Sequence, residues 1–436
     1  MSQTTTEAPV LSKAEKKTVR IRWFLVGFLI LGGVVNYLDR STLSVANTTI
    51  AQEFHLDALQ MGLLLSAFSW PYAIANLPAG YLVDKFGPKK MFAFAAGAWS
   101  LVSIVTAAAN SFGFLYAARV ALGIAESPFF TSALKVNERW FNKKERALPV
   151  SLVNTGSQIA NAIAPPLLTF LLLTMSWRGM FIIVGVLGVV IALVWLRIYR
   201  DPTLKEQALI KGAEAEARIV ATKEKVGWGQ LFKYRNTWFM ILGAFGIFYT
   251  VWVYLTWLPS YLQTARGFSL AESGWLASLP FLCGIIGVIF GGWLSGRLVG
   301  RGVNTVRARK IPIVGGALLA AAAVLPVAYV DNTALAIVLL SVGYFASQVP
   351  IGCLWTLASD VAPSNQVASL GAIQNFGGFI GAAVAPVVTG AILASTGGNY
   401  TLVFLIGGVL LLVGALSYGL FVKERPVAPN EPVATA

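Results

Sequence analysis

Apolar runs close to 20 residues long, parted by short polar or charged turns, recur from one end of the chain to the other. That pattern predicts spans at 22–47, 59–83, 91–110, 113–135, 147–173, 177–198, 236–261, 272–299, 309–330, 333–359, 366–395 and 399–422. Each is long enough to cross about 30 Å of hydrocarbon as a helix. An even number of spans returns the chain to its starting side. The expectation is an all-α, multi-pass membrane protein whose principal partner is the lipid bilayer.

Charge decides the topology. Apolar residues make up 56% of the 436 and charged residues 12%, against roughly a quarter charged in soluble proteins. The net charge of +14 would suggest nucleic acid if the basic residues formed one patch. They are instead grouped at Lys13–Arg22, Lys85–Lys90, Arg139–Arg146, Arg197–Arg235, Arg297–Lys310 and Lys423–Arg425, all on one face of the span pattern. The remaining five of the 33 are Arg178 and Arg266 on the opposite face and Arg40, Arg119 and Lys135 within spans. This is the positive-inside bias. It places both termini and the 199–235 loop in the cytoplasm of a cell inner membrane and excludes a nucleic-acid partner. Cys283 and Cys353 sit in separate spans and His55 stands alone, so neither a disulfide framework nor a metal site is expected.

The chain repeats itself. Asn154-Thr155-Gly156 returns as Asn375-Phe376-Gly377, and Ala164-Pro165 as Ala385-Pro386, both 221 residues on. Gly80-Tyr81-Leu82 returns as Gly292-Trp293-Leu294, 212 residues on. The organisation expected is a cytoplasmic tail 1–21, a six-helix bundle 22–198, a cytoplasmic linker 199–235, a second bundle 236–422 and a tail 423–436. Two pseudo-symmetric bundles suit alternating access about a midplane site. Small-residue pairs such as Gly287-xxx-Gly291 allow close helix packing.

Charges inside spans cost ~2.5–3.5 kcal/mol each at a helix centre, so each needs a partner or a function. The first span holds Asn36-Tyr37-Leu38-Asp39-Arg40, and the fourth holds Arg119 and Glu126. The positions matching Asp39 and Arg40 in the second half are Val251 and Trp252, so the charge belongs to one half. Arg119 and Glu126 are seven apart and share a face, about 10.5 Å apart along the axis. Asp39 and Arg40 diverge by about 100°, so one turns to the central cavity and the other to a neighbouring helix. An arginine for an anion beside carboxylates for protons is a coupled set: loading one favours loading the other. Polar stripes flank it: Ser151, Asn154, Gln158 and Asn161 on the fifth span; Ser69, Tyr72 and Asn76 on the second; Trp355, Thr356, Gln374 and Asn375 later. Lys135 and Asp360 lie near cytoplasmic helix ends, and Lys135 in the substrate path would favour a dianion.

These residues resemble a known family. Gly80-Tyr81-Leu82-Val83-Asp84-Lys85-Phe86-Gly87-Pro88-Lys89-Lys90 is similar to the loop signature of the major facilitator superfamily, with a degenerate copy at Gly292–Arg301. Arg119-xxx-Gly123 and Trp140-Phe141 with Glu145-Arg146 resemble two further motifs. Within that superfamily, Asn36–Arg40 with Arg119 and Glu126 resembles the anion:cation symporters, whose members carry galactonate, glucarate, hexuronates and some aromatic acids, with sialin and the vesicular glutamate transporters as distant animal relatives. The resemblance implies the major facilitator fold and protonation at Asp39 and Glu126. It also implies Arg119 pairing with Glu126, a substrate carboxylate at Arg40, and ligand contacts from Tyr37, Tyr72, Gln158, Trp355 and Asn375, with Asn154 and Thr356 nearby. It implies a cytoplasmic gate of Gly80, Asp84, Gly87 and Arg146, in which Asp84 meets Arg146 and the positive end of the eleventh helix and Gly80 allows the close approach.

The leading expectation is a monomeric, proton-coupled importer of a small organic anion, a sugar acid of the galactonate, gluconate or glucarate type, with no cofactor and no enzymatic activity. Three alternatives stay open: an importer of an aromatic or dicarboxylic acid, an organophosphate exchanger, and an anion sensor that moves nothing.

Overall fold

The computed structural model describes residues 13–141, 147–211, 228–362 and 367–423. Among them every regular element is helical. In order they are α1 Lys13–Val45, α2 Asn47–Glu53, α3 Ala58–Ser66, α4 Ser69–Phe86, α5 Pro88–Thr106, α6 Phe112–Glu126, α7 Pro128–Trp140, α8 Ala147–Ile198 and α9 Leu204–Lys211. After a 3₁₀ turn, Trp228–Lys233, come α10 Arg235–Thr264, α11 Leu270–Gly300, α12 Thr305–Val327, α13 Thr333–Val361, α14 Val367–Thr396 and α15 Thr401–Leu416, which runs on as a π turn to Phe421.

These elements make twelve crossings. The element α8 is two antiparallel spans folded back at Ser176, whose φ of 73° marks the turn. The second and fourth spans are each broken in the middle, and proline explains both breaks. Pro71 has no N–H for the Ala67 carbonyl, and α3 ends at Ser66. Pro128 has none for the Ile124 carbonyl, which instead accepts a bond from Ser127 N at 3.3 Å. A missing N–H removes the intrahelical bond at that turn. The first helix begins at Lys13, nine residues ahead of the expected apolar boundary, because its basic first turns continue the helix into the polar zone.

The start of α1 at Lys13, the described flanks of the 199–235 connection (through Lys211 and from Trp228) and the described stretch to Lys423 lie at one end of the bundle, here the linker end. There α9 is anchored by Arg139 on Asp201 and by Arg200 on Glu206, the latter pair at 2.6 and 2.7 Å. At the far end the two halves interlock. Ser66 donates to the Ala383 carbonyl at 2.6 Å, Ser44 to the Thr256 carbonyl at 3.0 Å, and Thr48 to Gln263 at 2.7 Å. Between α3 and α14 the backbones touch at Gly62 and Gly390: a Cβ on Gly62 would lie 2.5 Å from the Pro386 carbonyl oxygen. Moving toward the linker end, this antiparallel seam reaches Tyr72 against Phe379, with ring centroids 5.3 Å apart. The apolar core follows the same division. One buried cluster joins the second half to the far-end part of the first. The other belongs to the linker-end part of the first half and is touched from across by Phe379.

A second lock sits at the far end of the first half. Glu53 accepts from Trp177 Nε1 at 2.6 Å and pairs with Arg178 at 2.7 Å. The Arg178 hydrogen bond holds the Glu53 carboxyl below its usual range.

Two outcomes follow. With Cys283 and Cys353 replaced by Ala and a reporter cysteine at Ser41, Gly62→Val should raise labelling by an impermeant maleimide from the far end several-fold; an unchanged rate would contradict closure there. A depressed carboxyl adds stability above its unfolded value and loses it as pH falls through the folded one. Glu53→Gln should therefore cost about 1–2 °C of Tm at neutral pH, small because the pair is partly exposed. The gap should close as pH drops below 4.5; a gap that persists in acid would show the loss is not one of charge.

Candidate functional site

The ionisable residues of the first half converge on one buried cluster. Asp39 and Glu126 are fully buried, and Arg119 is 4% exposed. Arg40 is the most accessible, its side chain 10% exposed. Its Nε donates to Glu126 Oε2 at 2.6 Å. Three rings enclose its guanidinium: Phe68, Tyr37 and Tyr72, at 4.6, 4.7 and 4.7 Å from their centroids. Cation–π contacts of this kind strengthen when water is excluded. Phe68 also lies 5.4 Å under Arg119, so one ring serves both cations.

Asp39 turns the other way, as adjacent helical positions must. Ser103 Oγ on α5 donates to its Oδ1 at 2.5 Å. Asp39 is within Coulombic reach of Glu126, Arg119 and Arg40. Two acids and two bases therefore sum to zero in a space closed to water. Oδ2 of Asp39, Oε1 of Glu126, Nη2 of Arg40, and Nε and Nη1 of Arg119 are buried without hydrogen-bond partners. A buried polar network left partly unsatisfied has a high energetic stake.

The local fold accounts for these positions. Glu126 is the last residue of α6, at the break made by Pro128; Phe68 stands in the break before Pro71. Gly123 lets α6 approach that break: a Cβ there would press on the Phe68 carbonyl and on Pro71.

Several expectations are corrected. Glu126 pairs with Arg40, not Arg119, because Arg40 crosses from α1 to the end of α6 while Arg119 sits two turns back over Phe68. The cluster is roofed by rings rather than open to a chamber. Asp84 meets Lys135 at 2.8 Å, and Lys135 also holds Glu138 at 2.9 Å. Asp84 thus takes a cation of its own bundle. Gly80 has open space beside it instead of a neighbouring backbone. Gly87 does serve the turn, with φ of 82° ahead of Pro88. Arg146 lies outside the described residues. Lys135 is held by two acids and is no free ligand for a dianion.

Tyr37 and Tyr72 are brought to the cluster. Asn154 is exposed and donates to the Val150 carbonyl of its own helix; Thr356, also exposed, donates to the Gly352 and Cys353 carbonyls. Gln158 and Asn375 are half-buried and Trp355 is 47% exposed. The structure adds two residues that the sequence pattern does not single out, Ser103 and Phe68. Proline three residues after Phe68 is the available signal for one; nothing local marks Ser103.

Comparison with known proteins agrees with this architecture. The Major Facilitator Superfamily is matched over residues 29–386. A protein of Escherichia coli (strain K12) named probable L-galactonate transporter is 38% identical over 418 residues, covering 95% of this chain and 91% of that one. Another from the same organism, named probable galactarate/D-glucarate transporter, is 32% identical over 402 residues, covering 87% and 90%. A solved bacterial homolog of the human lysosomal transporter Spinster, described as inward-facing and occupied, superimposes with a TM-score of 0.76 over 93% of this chain and 98% of its own; at 19% identity it speaks for the fold alone.

If Phe68 is the roof, Phe68→Ala should speed modification of Glu126 by a water-soluble carbodiimide at least several-fold. Equal rates in the variant and the parent would place the barrier elsewhere.

Proposed function

The chain belongs to the major facilitator superfamily, and we propose that it imports a sugar acid together with protons by alternating access. Its relatives carry the names of transporters, not enzymes. Those names supply the substrate class. The observation that carries the mechanism is the buried Arg40–Glu126 pair at 2.6 Å.

Arg40 is the most accessible cation of the cluster, caged by rings of which Tyr72 packs on Phe379 of the second bundle, and Glu126 already claims it. A substrate carboxylate needs the same guanidinium. The exchange is cheap when Glu126 takes a proton, because a neutral acid gives up the ion pair and leaves no bare charge behind. An anion seated on Arg40 likewise leaves Glu126 without a cation, which favours its proton. Each ligand raises the affinity for the other by the same factor. Asp39, with Ser103 and Arg119, is a second proton site by the same reasoning. Tyr37 and Tyr72 hold the guanidinium in place, and the amides and rings of Gln158, Asn375 and Trp355 supply hydroxyl partners and faces for a sugar chain.

The positive-inside bias of the basic turns supports a linker end on the cytoplasmic side of the inner membrane. Closure at the far end then makes this an inward-facing state. The Lys135–Asp84 bridge is the resting form of the gate, which closes when Asp84 turns to the second bundle.

In proteoliposomes with an inward proton gradient, the protein should accumulate a sugar acid from a panel of sugar and aromatic acids. Glu126→Gln should abolish gradient-driven accumulation yet keep exchange of substrate across the bilayer. Concentrative uptake unchanged in that variant would remove Glu126 from coupling.

A further inference from the structure

We infer that the site takes sugar acids with a single carboxylate and rejects those with two; the inference rests on the reading of Arg40 as the anion ligand. It comes from counting the cations a bound molecule can reach. Asp39, Arg40, Arg119 and Glu126 sum to zero. One proton on Glu126 frees one reachable positive charge, Arg40, and a single carboxylate uses it up; a second proton, on Asp39, frees only Arg119, which is buried against Phe68.

Among the described residues a second carboxylate finds no second cation at depth. Arg119 is 4% exposed and lies over the Phe68 ring. Lys135 is bound by Asp84 and Glu138. The second half offers none at depth. Between Asn236 and Val422 its basic residues are Arg266, Arg297, Arg301, Arg307, Arg309 and Lys310, all at helix ends. Arg309 is moreover paired with Asp360 at 3.2 Å.

Across from Arg40 stands an aromatic surface. Tyr72, one wall of the Arg40 cage, packs on Phe379, and Phe379 packs on Trp252 at 5.8 Å. Trp252 is the residue that the internal repeat puts at the position of Arg40. The repeat therefore sets a cation on one side of the path and an indole on the other. The far end of an extended six-carbon acid meets rings and neutral amides. They suit a hydroxymethyl group or a sugar ring. An ionised carboxylate stranded there would be desolvated without a partner, a heavy penalty.

The test uses two triplets that share hydroxyl configuration and differ at the last carbon: galactonate, galacturonate and galactarate, and gluconate, glucuronate and glucarate. Proton-driven uptake of each labelled acid is measured in proteoliposomes of the full chain. The expected result is uptake of one or more monocarboxylates, with the dicarboxylate of the same triplet slower by about 100-fold or more in kcat/KM. Trp252→Arg, which restores a cation at the repeat position, should narrow that ratio at least 10-fold. A dicarboxylate carried as well as its monocarboxylate partners would overturn the inference and leave sugar-acid transport standing. Uptake of no member of either triplet would instead overturn the substrate reading on which it rests.

Discussion

The structure turns on one ion pair in a place that is costly for either of its members alone. Arg40 and Glu126 meet at 2.6 Å with the acid fully buried. Removing either partner would strand a charge out of water, which costs far more than the pair itself contributes. A contact of that kind is a poor glue and a good switch. It can be opened at little cost only if something else neutralises both members together, and a proton on the acid with an anion on the base does that. The aromatic cage around Arg40 complements the switch by holding the guanidinium in a fixed place, whether its counter-ion is Glu126 or a ligand.

Backbone chemistry makes the pair possible. Glu126 and Phe68 both stand at interruptions that prolines write into the second and fourth spans, and Gly123 lets the two interruptions touch. A continuous helix would turn its side chains at a regular pitch and could not bring the end of one helix, the break of another and the middle of a third to a single point. The same two spans extend to the linker end, where Asp84 of α4 meets Lys135 of α7. The cluster and the Asp84–Lys135 bridge therefore share the same two spans. At the opposite end the seam of Gly62 against Pro386 and Ser66 against Ala383 brings the bundles together through backbone, without charge.

Much of this is legible in the sequence. Span positions follow from the apolar runs, and the intramembrane charges point to the cluster, since nothing else in the chain is so costly to bury. The divergence of Asp39 from Arg40 follows from the helical pitch, and the structure sends one to Ser103 and the other to Glu126. What the sequence hides lies between helices. Pitch places Arg119 and Glu126 on one face but says nothing of a guanidinium arriving from α1, which is why the expected partner of Glu126 differs from the one found. Ser103 is one serine among many until packing sets it against Asp39. The expected gate contact differs for another reason: pairing Asp84 with Lys135 depends on how α4 packs on α7, which the sequence does not show.

At the centre of the mechanism we propose, an anion and a proton exchange places around Arg40. Calorimetric titration of galactonate into the purified protein, in two buffers of different ionisation enthalpy, counts the protons taken up for each anion bound. Uptake of about one proton per anion is expected near neutral pH, and its loss in Glu126→Gln. Binding of galactonate with no proton uptake in the parent protein would contradict the exchange.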